Sequence, residues 1–63
     1  MPKEELEVWA YRLGEIGYNA YGDRAKWRNY EGKPMPKWDE VPQHIRDKWA
    51  VAARAIRHEV CKP

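Results

Sequence analysis

The stretch that decides the fold is LEVWAYRLGEIGYNA, residues 6–20. Leu6, Trp9, Leu13, Ile16 and Ala20 recur at alternating steps of three and four, which puts them on one stripe of a 3.6-residue helix. Pro2 suits a first helical position, and Glu4, Glu5 and Glu7 complement the positive end of the helix dipole. Gly22 is a natural stop, so the spacing predicts a helix over about 3–21. Gly14 and Gly17 each weaken that helix by about 1 kcal/mol relative to alanine, and close approach of a second backbone is the use that accounts for them. Val8, Tyr11, Tyr18 and Tyr21 form a second stripe along the flank. One helix therefore offers apolar surface on more than one side.

The rhythm returns near the other end in IRDKWAVAARAIRHEV, residues 45–60. Ile45, Trp49, Ala52, Ile56 and Val60 form the stripe, Ala50, Ala53 and Ala55 raise the helix propensity, and Pro42 fits the first turn. The expected helix covers about 42–60. Ala52 and Ala53 leave room for a close neighbour, as Gly17 does on the first helix. The two together predict an all-α fold, an antiparallel helical hairpin with Leu6, Trp9, Leu13, Ile16, Ile45, Trp49, Ala52 and Ile56 between the helices. The connection between them contains Gly32, Pro34, Pro36 and Pro42, which forbid a long regular element. It also carries Trp27, Tyr30, Met35 and Trp38, and disordered chains avoid aromatic residues. An ordered aromatic and proline-rich loop packed on the helices is the expectation. Asp23 is placed to cap a short turn over residues 24–30, and Asp39 and Glu40 to serve the start of the second helix.

Sixty-three residues allow one small domain, 1–63. Its energy balance is nearly even. Burial on folding is worth about 100 kcal/mol by area scaling at ~25 cal/mol/Å2, and ordering the chain costs about 95 kcal/mol. Extra burial at a subunit interface would tip that balance, so self-association as a homodimer is expected. Tyr11 and Tyr18 are the candidates for that interface, because a two-helix monomer would leave their stripe uncovered.

The formal net charge is +2, with 12 basic and 10 acidic residues, well short of the excess typical of nucleic-acid binders. No run approaches the ~20 apolar residues of a membrane span, and the opening MPKEELEV lacks the apolar region of a signal peptide. The chain reads as cytoplasmic. A single cysteine, Cys61, excludes an internal disulfide and any cysteine-pair metal site. No cofactor is implied. The sequence contains no serine or threonine, no glycine-rich phosphate loop and no nucleophile paired with a base, so no catalytic residue is assigned. His44 and His58 fall fourteen residues apart, roughly 21 Å along a helix at 1.5 Å per residue, too far to share a metal.

The chemistry that stands out lies between the helices. Arg24, Lys26, Trp27, Arg28, Tyr30, Lys33, Lys37 and Trp38 interleave cations with aromatic faces. Three readings are open: a cap on the open end of the helix pair, a protein-binding hot spot of Trp, Tyr and Arg, or a stacking and phosphate site for a nucleotide or nucleic acid. Lys26, Trp27, Arg28, Tyr30, Lys37 and Trp38 are the candidate partner-binding residues. The opposing candidate surface is the basic face of the second helix, Arg46, Arg54 and Arg57.

Residues 18–56 carry a recognisable pattern: Tyr18, Tyr21, Trp27, Asn29–Tyr30, Gly32, Pro34–Met35–Pro36, Trp38, Val41–Pro42, Ile45, Trp49 and Ala52–Ala53. It resembles a group of small proteins encoded by bacteriophages and bacterial prophage regions. The resemblance implies a viral accessory protein working inside a bacterial cell, and it supplies no active-site residue. The expected function is a phage-type binding protein, inhibitor or adaptor, acting stoichiometrically on a host or phage protein without catalysis. The alternative is a protein that sequesters a small nucleotide, or binds nucleic acid weakly, through the aromatic-basic loop.

Overall fold

The computed structural model describes residues 6–63. Two helices, α1 (Val8–Arg24) and α2 (Gln43–Cys61), pack against each other, and a short 3-10 turn (Trp38–Glu40) lies in the connection. The fold is the all-α helical hairpin that the two periodic stretches predict. Both helices sit slightly later than the expected 3–21 and 42–60. Glu7 flanks the start of α1 with extended backbone, and the expected start at residue 3, with Pro2, Glu4 and Glu5, lies outside the described residues. Pro42 takes the N-cap position of α2, its carbonyl accepting from the amides of Ile45 and Arg46 at 3.0 Å. Asp39 and Glu40 belong to the 3-10 turn rather than to α2, and the Glu40 carboxylate accepts from the Lys37 amide at 3.3 Å.

The buried face of α1 is not the one its aliphatic residues mark. Ala10, Gly14, Tyr18 and Gly22, spaced by four, are the buried residues of this helix. The opposing buried residue of α2 is Ala50. A Cβ on Gly14 would lie 3.0 Å from the Ala50 amide nitrogen and from the Trp49 carbonyl carbon, so the backbones cross there at a distance only glycine permits. Gly17, the glycine expected at the crossing, meets only the Trp49 ring at 3.6 Å. The consequence is a rotation of α1 that leaves Leu13 39%, Ile16 64% and, on α2, Ile56 64% exposed; Ala52 is exposed as well. These four are therefore corrected from core to surface. The physical reason is steric. A stripe of small residues admits the second backbone and flat aromatic rings, and an aromatic side chain buries ~150–250 Å2, more than Leu or Ile could supply from the other face.

Gly22 does not stop α1. The helix continues to Arg24 and ends in a Schellman arrangement: the Trp27 amide donates to the Gly22 carbonyl at 2.7 Å and the Lys26 amide to that of Asp23 at 3.2 Å. Lys26 takes the left-handed conformation usual for glycine at that place, with φ 57°, and Trp27 repeats it. Gly22 is needed because the Trp27 ring lies on it; a Cβ there would come within 2.5 Å of the indole. Asp23, expected to cap a following turn, sits instead in the last turn of α1 and accepts from Trp27 Nε1 at 2.9 Å.

Tyr18 is the centre of the core at 5% exposure. Its ring meets Trp27, Trp38 and Trp49 at centroid distances of 5.9, 5.7 and 5.5 Å, and its hydroxyl donates to the Pro36 carbonyl at 2.6 Å. One side chain thus joins α1, the loop and α2. The molecule is a slab of 39 × 31 × 17 Å with a radius of gyration of 13.0 Å, against about 10.6 Å for a compact chain of this length. Among the described residues no helix is long and apolar enough to cross a membrane.

Candidate functional site

The connection folds into a fixed shape through its own backbone. From Trp27 the chain leaves α1, pairs Arg28 against Pro34 in an isolated antiparallel bridge, and turns at Asn29–Gly32. The Gly32 amide donates to the Asn29 carbonyl at 2.9 Å, and Gly32 has φ 80°, a left-handed position that suits glycine. The Asn29 carboxamide oxygen accepts from the amides of Glu31 and Lys33 at 2.9 and 3.0 Å, the way asparagine stabilises turns. Met35 closes the base, its amide donating to the Trp27 carbonyl at 2.8 Å. Tyr30 stands at the tip of this turn, 97% exposed. The Arg28 guanidinium donates to the Gly32 carbonyl at 3.0 Å and is exposed beside the tip.

The six candidate partner-binding residues separate into two groups. Trp27 and Trp38 are half-buried: each packs one edge on Tyr18 and shows the remainder to solvent. Lys26, Arg28, Tyr30 and Lys37 are exposed. Lys37 bends back so that its ammonium lies 3.7 Å from the centroid of the Trp27 ring. The readings of the two tryptophans as core cap and as surface thus describe different parts of the same side chains.

Trp27, Trp38 and Lys37 border an open cleft of about 380 Å3 whose remaining lining is Glu15, Asn19, Asp23 and Asp39. Lys26 and Arg28 lie outside that lining. The cleft carries three carboxylates against one ammonium, in a chain whose net charge is +2. Glu15, Asn19 and Asp23 stand at i, i+4 and i+8 on α1, one polar row that reaches the loop from below, and Asp39 comes from the 3-10 turn above. Sequence reasoning missed all four. The four-residue spacing was available as a signal, but only the position of the loop gives it meaning.

Tyr11 and Tyr18, expected at a subunit interface, are engaged within the chain. Tyr18 is buried in the aromatic hub and Tyr11 donates to the Asp47 carboxylate of α2 at 2.5 Å, with Gln43 bonded to the same carboxylate at 2.8 Å. The loop and α2 cover Tyr18, which corrects its assignment; Tyr11 is held half-buried against α2, while Val8 and Tyr21 of the same flank stay 77% and 50% exposed. Their ionisation follows the packing. Burial raises the Tyr18 phenol above its ordinary 10.0, with the neighbouring Tyr21 adding to it. The bond to Asp47 raises Tyr11, helped by desolvation and by the carboxylate's charge.

Further uncovered apolar surface lies on the aliphatic side of α1. Trp9, Leu13 and Ile16 form a shallow groove of about 530 Å3 with Arg12 and Arg57, and the Arg57 guanidinium lies 4.5 Å from the Trp9 ring centroid. Cys61 is exposed near the end of α2. Among the described residues no three metal-ligating side chains come together.

Fold and site together define a two-helix protein whose aromatic hub presents a rigid turn on one side and an anionic, indole-walled cleft on another. No family model matches the chain, and neither a curated protein nor a solved structure matches it.

Proposed function

We propose that the protein is a small binding module that acts stoichiometrically, as an inhibitor or adaptor and without catalysis, on a protein partner. The observation that carries this reading is Tyr30: a tyrosine 97% exposed on a turn whose backbone is fixed by its own hydrogen bonds. Such a residue contributes nothing to the core, and its fixed setting lowers the entropy lost on binding. Tyrosine and arginine side by side are the residue types that dominate protein-binding hot spots. On the resemblance of residues 18–56 to phage-encoded proteins, the partner is a host or phage protein in the bacterial cytoplasm. The nucleotide alternative is the weaker reading, because the cleft beside the stacking rings is lined by carboxylates that repel phosphate.

The reading includes a homodimer, with Leu13, Ile16 and Ile56 in the place first given to Tyr11 and Tyr18. A slab 17 Å thick is little more than one layer of helices, and an exposed apolar face on a single layer is completed by a second layer.

Capture from a bacterial extract by the immobilised chain tests the site. Tyr30→Ala and Arg28→Glu should each weaken retention of the partner by about tenfold or more, the usual size for an anchor residue. Retention unaffected by these two, but lost with Arg54→Glu and Arg57→Glu, would move the site to α2.

A further inference from the structure

Resting on the protein-binding reading, we infer that the cleft between Trp27 and Trp38 receives a lysine or arginine side chain of the protein partner, in the place now occupied by the chain's own Lys37. An indole face attracts a cation through its quadrupole, and the attraction grows as water is excluded. The cleft has such a face, and an ammonium already rests on it at 3.7 Å. That contact identifies the chemistry the wall accepts. The remaining wall agrees in sign: Glu15, Asp23 and Asp39 outnumber the single lysine three to one. Asp23 is held by the Trp27 indole N–H, whereas Glu15 and Asp39 have no hydrogen bond or ion pair among the described residues. Two unneutralised carboxylates beside two indoles favour a second cation and disfavour a phosphate.

Lys37 acts as an internal occupant. It is exposed, with the Trp27 face holding its ammonium and the Glu40 carboxylate its amide, so its side chain swings out as a partner's cation replaces it on the ring. A competing tethered ligand lowers apparent affinity by the fraction of time it occupies the site. Removing it therefore strengthens binding, which is the opposite of what removal of a lysine does at a phosphate site.

The test uses the full chain and follows the Trp27 and Trp38 indole N–H resonances during titration with N-acetyl-argininamide, N-acetyl-lysinamide and AMP. The two cationic amides should shift both resonances saturably and AMP should not. Lys37→Gln should tighten argininamide binding about threefold, and Asp39→Asn or Glu15→Gln should weaken it about threefold, the size of an exposed charge contact. Lys37 and Asp39 are exposed and Glu15 is half-buried with no bond of its own among the described residues, so folding is retained while the cleft changes. Shifts produced by AMP and abolished in Lys37→Gln would overturn the inference in favour of a phosphate site, and no shift with either amide would overturn it outright. If Tyr30→Ala abolishes partner capture while argininamide leaves both indoles unmoved, the binding role stands and the cleft assignment falls. If argininamide binds as described while capture ignores every loop variant, the cleft keeps its cation chemistry and the protein-binding reading is what fails.

Discussion

Ile16 and Tyr18 lie two residues apart on the same helix, and the molecule treats them in opposite ways. Around Tyr18 everything converges: three indoles at 5.5 to 5.9 Å, the Pro36 carbonyl on its hydroxyl, and Gly14 and Gly22 one turn away on either side. Around Ile16 the aliphatic stripe lies open, although it has the cleaner helical rhythm. A periodic stripe shows that a helix has an apolar side. Which of two such sides is buried depends on what the neighbours can bring against it. Here α2 brings a backbone, and only the glycine side accepts a backbone.

Substitutions can break that contrast. The largest effect belongs to the hub. Tyr18→Ala and Trp49→Ala should each cost about 3–5 kcal/mol, most of the stability of so small a domain, and thermal unfolding would show it as loss of a cooperative transition near room temperature. The two glycines sharpen the point. Gly14→Ala should destabilise by about 1–3 kcal/mol, because its methyl group would meet the α2 backbone at 3.0 Å. Gly17→Ala, whose methyl group meets only the Trp49 ring at 3.6 Å, should be neutral or gain up to about 1 kcal/mol from helix propensity. Equal responses at the two positions in denaturant titrations would place the crossing elsewhere.

Tyr18→Phe should cost about 1 kcal/mol through loss of the bond to Pro36. The same variant carries a pH signature. Because the folded phenol is raised above 10.0, its contribution is fully present below pH 10 and is lost as pH climbs through the raised value. The parent should therefore lose stability as pH rises above 10 and Tyr18→Phe should lose less, the residual loss belonging to Tyr11. A smaller effect of opposite sign is expected at Lys26, whose φ of 57° suits glycine: Lys26→Gly should stabilise by about 0.5–1 kcal/mol. The smallest effect falls on the open face. Ile16→Ser should change the stability of the dilute monomer by no more than about 0.5 kcal/mol. It should also abolish any concentration dependence of the melting temperature that the parent shows.

Both helices were legible from periodicity, and the loop's order from its tryptophans and prolines. The buried face was not, because pattern reading ranks side chains by hydrophobicity and the crossing is made by Gly14, Ala10 and Ala50, residues with almost nothing to rank. Tyr18 was misplaced for a related reason: it lies on the small-residue face that α2 meets through Trp49, and the return of the loop through Pro36 and Trp38 completes its cover. At the site, the aromatic and basic residues were visible as a cluster in sequence. Their separation into an exposed tip at Tyr30 and an anionic cleft at Trp27 and Trp38 depends on two consecutive left-handed residues after α1, and on an acidic row of α1 that no local pattern ties to the loop.

The contrast between the two faces rests on which side chains touch the indoles, and proton–proton Overhauser contacts in the free protein report that directly. The ring protons of Tyr18 should show contacts to Trp27, Trp38 and Trp49, while the methyl groups of Ile16 should show none to Ile45 or Ile56 at low concentration. Strong contacts from Leu13 and Ile16 to Ile45 and Ile56, with Tyr18 silent toward the tryptophans, would mean that α1 buries its aliphatic face after all.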